Sequence, residues 1–405
     1  MPQFTIADFL GLESHKEPET QLLNVEMPTL EELEDTSVFD ECAEAELMLD
    51  VALTALDKLE SMEARFEGQQ ISEFTLECFM DELSVSTAGA MTFSREAIFT
   101  KDGSVYEINN AKVGEVIKKT IEQVRLIIKK MLNALAKFFG DIFAVNDRRM
   151  LQAETLLKKL KSGKMRFMGV RQPINSVTMP LVISIKGNQV EYYGLEGISK
   201  ITSLASGYDL DKNLKQAAEA VETLIKNDSS NDKLAAALDN MALAYGKGLA
   251  KNYAIGREED RGGVKSFYIS NNPKAVFPNG FRILLKGASS TAQLDIQSTM
   301  TKASVLDMTS VDKKWVISGL EAAIAILKPV TGKNKDAISV FDKGLKQTID
   351  AAEDNDGIPA ERVKGAAQAG KFFSSLFRAE QMYVQRLAAA LIATAVSQAK
   401  PSNVG

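Results

Sequence analysis

The stretch VIKKTIEQVRLIIKKMLNALAKFFGDIFAV, Val116 to Val145, decides how the chain folds. Ile117, Ile121, Val124, Ile128, Met131, Leu135, Phe138, Ile142 and Val145 recur at alternating steps of four and three, a heptad-like seam along one helix. Val116, Ile127, Leu132, Phe139 and Phe143 widen the seam beyond what a two-stranded coiled coil uses. Lys118, Lys119, Arg125, Lys129, Lys130 and Lys137 flank it. Three uses fit such a helix: a bundle core with a solvated basic face, an interfacial membrane helix, or a helix whose lysines meet phosphates. The first is compatible with the third, because one uses the apolar face and the other the basic one.

Directly after this stretch, Asn146-Asp147 offers a turn, and RRMLQAETLLKKLKSGK then reads as a second basic helix ending at Gly163. The expected unit is an αα-hairpin. Arg148, Arg149, Lys158, Lys159 and Lys161 extend the candidate surface for DNA or a protein partner.

The basic hairpin sits in an acidic chain. Of 405 residues, 54 are Asp or Glu and 48 are Lys or Arg, a net charge of −6. Residues 1–110 carry 25 acids against 5 bases, whereas 111–171 carry 15 bases against 5 acids. Such polarity between consecutive blocks marks the acidic segment as one with its own fate. Within it, residues 1–38 read as a largely irregular arm. From about Phe39 a helix begins, with Ala45, Leu47, Leu49, Val51, Ala52, Leu56 and Leu59 as its apolar stripe. A shorter helix covers Ser72 to Leu83.

Elsewhere, Asp102-Gly103 in AIFTKDGSVYEI and Gly187-Asn188 in LVISIKGNQVEYYG mark β-hairpins. VKSFYIS (264–270) and FRILLKG (281–287) favour strands. Helices are expected at 214–227, 233–252, from Lys314, from Lys335, and from about Ala360 to Gln398. The fold class is mainly α: a helical bundle with an αα-hairpin and small β-hairpin insertions (α+β). Three divisions follow, an acidic helical region 1–96, a basic hairpin 97–171, and a mixed, mostly helical domain 172–405.

Catalytic signatures are thin. His15 is the single histidine, in a polar segment, so zinc sites and Ser/His or Cys/His catalysis are not expected. Cys42 and Cys78 make neither a disulfide framework nor a metal cluster and read as buried apolar residues suited to a reducing compartment. Gly332-Lys333 lacks the spacing of a phosphate loop. GREEDRGG, with Glu258, Glu259 and Asp260 between arginines, reads as a solvated salt-bridged loop. No secretory signal and no apolar run of membrane-spanning length is evident, and no cofactor or metal is expected.

Ser94-Arg95-Glu96-Ala97 lies in a small-residue connector at the foot of the acidic block, where an extended segment can enter a protease cleft. Ser61-Met62-Glu63 has the same pattern. A cut after Glu96 would remove 23 acids and 4 bases, leaving the remainder at about +13. The acidic block, the SREA connector and the lysine-rich FFGDIF helix leading into RRMLQAETLLKKLKSGK together resemble internal head proteins of large tailed bacteriophages, of the phiKZ-like and myovirus type. The resemblance spans roughly residues 40–170. It implies an acidic propeptide removed by a prohead protease after a glutamate, with Glu96 and Ala97 as the first candidate junction and Glu63 as the second. It also implies a non-enzymatic virion structural protein in the capsid interior, present in the host cytoplasm during assembly. Its expected partners are other capsid or inner-head proteins, the prohead protease, and packaged double-stranded DNA held through its backbone. The alternatives are a membrane-active ejection protein with transient membrane contact, and an enzyme built around a deep polar pocket.

Overall fold

Thr29 closes a capping box with Glu32: its hydroxyl accepts from the Glu32 N–H at 3.1 Å, and Glu32 accepts from the Thr29 N–H at 2.9 Å. This starts α1, Leu30–Glu34. The computed structural model describes residues 28–66, 72–86, 99–102, 105–108, 110–169, 183–186, 189–192, 254–261, 264–270, 282–286, 293–297, 311–330 and 360–401. Asp35 accepts from the Ser37 N–H at 2.9 Å and opens α2, Ser37–Phe66. α3, Glu73–Ser86, follows, and then the antiparallel hairpin of β1 (Phe99–Asp102) and β2 (Val105–Ile108) around Asp102-Gly103.

From Asn110 to Lys161 the chain is one helix of 52 residues, α4, about 78 Å long at 1.5 Å per residue. The expected αα-hairpin is therefore corrected to a single rod. Asn146 does not turn the chain, because its side chain is buried and hydrogen-bonded to the C-terminal helix. Neither glycine nor proline interrupts residues 141–161. The helix stops where expected, at Gly163, which takes φ 74°, with the Ser162 N–H donating to the Lys158 carbonyl.

The buried stripe of α4 runs through Val113, Ile117, Ile121, Val124, Ile128, Leu132, Leu135, Phe139, Ile142, Asn146, Arg149, Ala153, Leu156 and Leu160. Its mean step is about 3.6 residues, the period of a straight helix. A strict heptad drifts ~20° per repeat against that period. Met131 and Val145 of the expected seam are accordingly only half-buried, and Leu132 and Asn146 replace them.

Beyond α4, β3 (Met165–Phe167) pairs antiparallel with β10 (Ala399–Pro401). β4 (Ile183–Lys186) and β5 (Gln189–Tyr192) form the expected hairpin. β6 (Ala254–Arg261), β7 (Val264–Ser270), β8 (Arg282–Lys286) and β9 (Gln293–Gln297) make an antiparallel sheet in sequence order. GREEDR belongs to strand β6, with Asp260 opposite Lys265, and is not the loop its charges suggest. α5 (Lys313–Leu327) is capped by Asp312, whose carboxylate accepts from the Trp315 N–H at 2.6 Å. α6 runs from Ala360 to Ser397. The helices expected at 214–227, 233–252 and from Lys335 lie outside the described residues, as do Glu96 and Ala97.

α2, α4 and α6 pack lengthwise. Phe138 and Phe143 approach Phe377, and Arg149 reaches Gln385, so α4 and α6 run parallel. Glu46 meets Arg378 and Glu60 meets Lys364, so α2 runs antiparallel to α6. α5 covers the far end, where Trp315, Leu320 and Ile326 join Leu156, Leu160, Leu387 and Leu391 in one apolar cluster. The fold is mainly α with small β insertions. Its core draws on residues from all three divisions of the sequence.

Candidate functional site: a buried ion ladder and a polar layer

Glu46, Asp50, Asp57 and Glu60 fall on one face of α2, since eleven and fourteen residues are close to three and four helical turns. Lys364, Lys371 and Arg378 fall on one line of α6 at seven-residue steps, about 10.5 Å apart. The antiparallel packing brings the two rows together. Arg378 donates to Glu46 at 2.9 Å, Lys371 pairs with Asp50, and Lys364 pairs with both Asp57 and Glu60. The Lys371 and Glu46 side chains are only 5% and 7% exposed, so the cation row and the Glu46 end are buried, while Asp50 and Asp57 keep an edge in solvent. Ser374 adds a hydroxyl donor to Glu46 at 2.9 Å. Burial opposes the charge on Lys364, and its hydrogen bonds to the Asp57 and Glu60 carboxylates outweigh that, holding the ammonium pKa above its usual value. Towards the start of α2, Asp40 partly offsets the burial that lowers the Arg386 pKa.

Beside Glu46, Cys42 donates to its carboxylate at 3.5 Å, and burial pushes the thiol pKa strongly upward. Cys78 is exposed, so only one of the two cysteines is the buried apolar residue expected.

A second polar group lies between the apolar cluster around α5 and the aromatic contacts of Phe39, Phe138, Phe139 and Phe377. Asn146 donates to Gln381 at 3.2 Å and accepts from Gln385 at 2.9 Å. Arg149 donates to the Gln385 side chain at 3.0 Å and to the Leu33 carbonyl at 3.1 Å. Burial pulls the Arg149 pKa down to about 10; the nearby Arg148 adds to this, and Asp35 opposes it. The Arg149 Nε and Gln381 Nε2 have no acceptor among the described residues. One guanidinium thus joins three parts of the chain: the segment before α2, the middle of α4, and α6.

The candidate DNA- or partner-binding residues fare unevenly. Lys118, Lys119, Lys130, Arg148 and Lys158 are exposed, while Arg125, Lys129 and Lys159 are half-buried. Lys161 pairs with Glu321 at 2.8 Å, and Lys137 with Asp141 at 3.3 Å and Glu41 at 3.8 Å. Arg149 is buried in the polar layer and cannot reach a ligand, a correction caused by its hydrogen bonds to Gln385 and Leu33 between the helices. Of the cleavage candidates, Glu63 lies in the last turn of α2, in helical backbone that a protease would first have to unwind. The apolar face of 116–145 is committed to the bundle, and among the described residues no helix is long and apolar enough to cross a membrane.

The ladder is not legible in the sequence, because its partners stand some three hundred residues apart. Its trace in the sequence is a polar residue at every seventh position of α6, 364, 371, 378 and 385, set among other polar residues such as Glu361, Gln368 and Glu380. Among the described residues no group of His, Cys, Asp and Glu is placed to hold a metal ion. Compared with family models, curated proteins and solved structures, the chain matches none.

Proposed function

We propose that this chain is a structural, non-enzymatic protein of the interior of a tailed-phage head, packed beside the genome, whose acidic N-terminal block serves as a charge cover during assembly. The observation that carries the reading is the ladder. Four acids of α2, Glu46, Asp50, Asp57 and Glu60, neutralise Lys364, Lys371 and Arg378, so this face of the block is fitted to its own protein's cations. Meanwhile Lys118, Lys119, Lys130 and Arg148 stay on the surface of α4, spread along a rod and suited to backbone phosphates without reading sequence. In a space filled with DNA, acids that no cation of the body covers would be repelled, and a prohead protease cutting after Glu96 frees whatever part of the block the ladder does not hold.

Mass spectrometry of purified particles tests this. The expected mature N-terminus is Ala97, with the protein inside the head. A chain starting only at Met1 or Pro2 would remove processing, and absence from particles would remove the whole reading. DNA retention should fall steeply between about 50 and 200 mM salt, as backbone-directed binding does.

A further inference from the structure

We propose that the face formed by α4 and α6 is a receptor for an acidic amphipathic helix, and that it keeps α2 in place after the chain between α3 and α4 is cut. α2 touches α3 on its own side of such a cut, but the partners that cover most of its length, α4 and α6, lie beyond it. Its apolar side buries Phe39, Leu49, Leu56, Leu59 and Met62, and Phe39 meets Phe138 of α4 edge-on. Its acidic side is held by Lys364, Lys371 and Arg378 of α6. The segment before it is held by Arg149, through the Leu33 carbonyl. None of these attachments needs the covalent link at residues 87–109.

The cations also fix which helix fits, and how. An isolated buried charge is costly, so each cation of the row demands an acid opposite it. A slip of seven residues in either direction would set Leu53 or Phe39 against Arg378 and strand the charge. Position-specific polar pairs of this kind select register and direction in helix packing. The occupant must therefore offer acids spaced as Glu46, Asp50, Asp57 and Glu60 are, on the flank of an apolar stripe. Among the described helices the one with that pattern is α2 itself, which behaves as a bound subunit supplied in cis.

The inference deepens the proposed function, and it rests on that reading only for the cut occurring naturally. The test uses the full chain with one foreign protease site placed between residues 87 and 98. After complete cutting, size-exclusion chromatography and native mass spectrometry should find the two pieces together, one to one, at about 0.15 M salt. Lys371→Glu with Arg378→Glu should lose the N-terminal piece on cutting. Adding Glu46→Lys with Asp50→Lys to that chain should regain it. Separation of the otherwise unchanged pieces overturns the proposal. So does equal retention by the Lys371→Glu/Arg378→Glu chain, or failure of the four-substitution chain to regain co-elution. Because the cut is engineered, a missing Ala97 terminus in particles would sink the processing step without touching this result.

Discussion

The Arg378 guanidinium closes on the Glu46 carboxylate at 2.9 Å across 332 residues of sequence, joining the acidic start of the chain to its last long helix. Both side chains are mostly buried, so removing one strands the other. Arg378→Met should destabilise the protein by about 3–5 kcal/mol, the usual cost of an uncompensated buried charge. Glu46→Gln with Arg378→Met should cost less than the two single changes added together, and a double-mutant cycle from urea unfolding reads the coupling. Additive losses would mean that the pair does not interact.

Arg149→Ala should destabilise by about 3 kcal/mol, because it leaves the Gln385 amide and the Leu33 carbonyl without their donor. Arg148→Ala, one residue earlier and exposed, should change stability by less than about 0.5 kcal/mol. Thermal unfolding of the two variants side by side checks the contrast. DNA retention should show the opposite order, weakened by the Arg148 change.

The single rod of α4 has a direct ruler. Spin labels at Lys130→Cys and Lys158→Cys, in a Cys78→Ser background, should lie about 42 Å apart along the axis. An αα-hairpin turning at Asn146 would bring them within about 20 Å. Pulsed electron spin resonance separates the two outcomes.

Lys364 gives a pH dependence of definite sign. Its folded-state pKa is raised, so the stabilisation is complete below the unfolded value of ~10.4 and is lost as pH rises through the higher folded value. The urea midpoint should therefore fall on the alkaline side of pH ~10.4, and Lys364→Met should flatten that part of the decline. An unchanged slope in the variant would assign the loss to other groups.

The cysteines should part company under a thiol reagent. Cys78 is exposed and should react in the native protein, whereas Cys42 is buried, with its thiol held protonated beside Glu46. The expected stoichiometry is one label when native and two when unfolded, read by intact mass. Reaction of Cys42 at the rate of Cys78 would show that α2 leaves its seat readily.

What could be read in advance follows from what is local. Apolar periodicity located α2, α4, α5 and α6, and Asp102-Gly103 and Gly187-Asn188 located two hairpins, because both signals lie within a few residues of what they specify. Asn146 misled because its turn preference was overridden by hydrogen bonds to Gln381 and Gln385, more than two hundred residues away. Arg149 misled in the same way: charge suggests solvent until a distant partner makes burial tolerable. GREEDR misled because a ladder of backbone hydrogen bonds can form a strand whatever its side chains prefer. Cys78 lies on a helix whose outward face was not evident from so short a pattern.

The pairing of α2 with α6 also sets a timetable. On the ribosome, Glu46 emerges some three hundred residues before Arg378, a delay of about 15–60 s at ordinary elongation rates. Through that interval α2 can meet α4, where Lys137 stands opposite Glu41, but not the α6 cations that seat Glu46, Asp50 and Glu60. Completion of this bundle therefore waits for α6, in the manner of folds dominated by distant contacts.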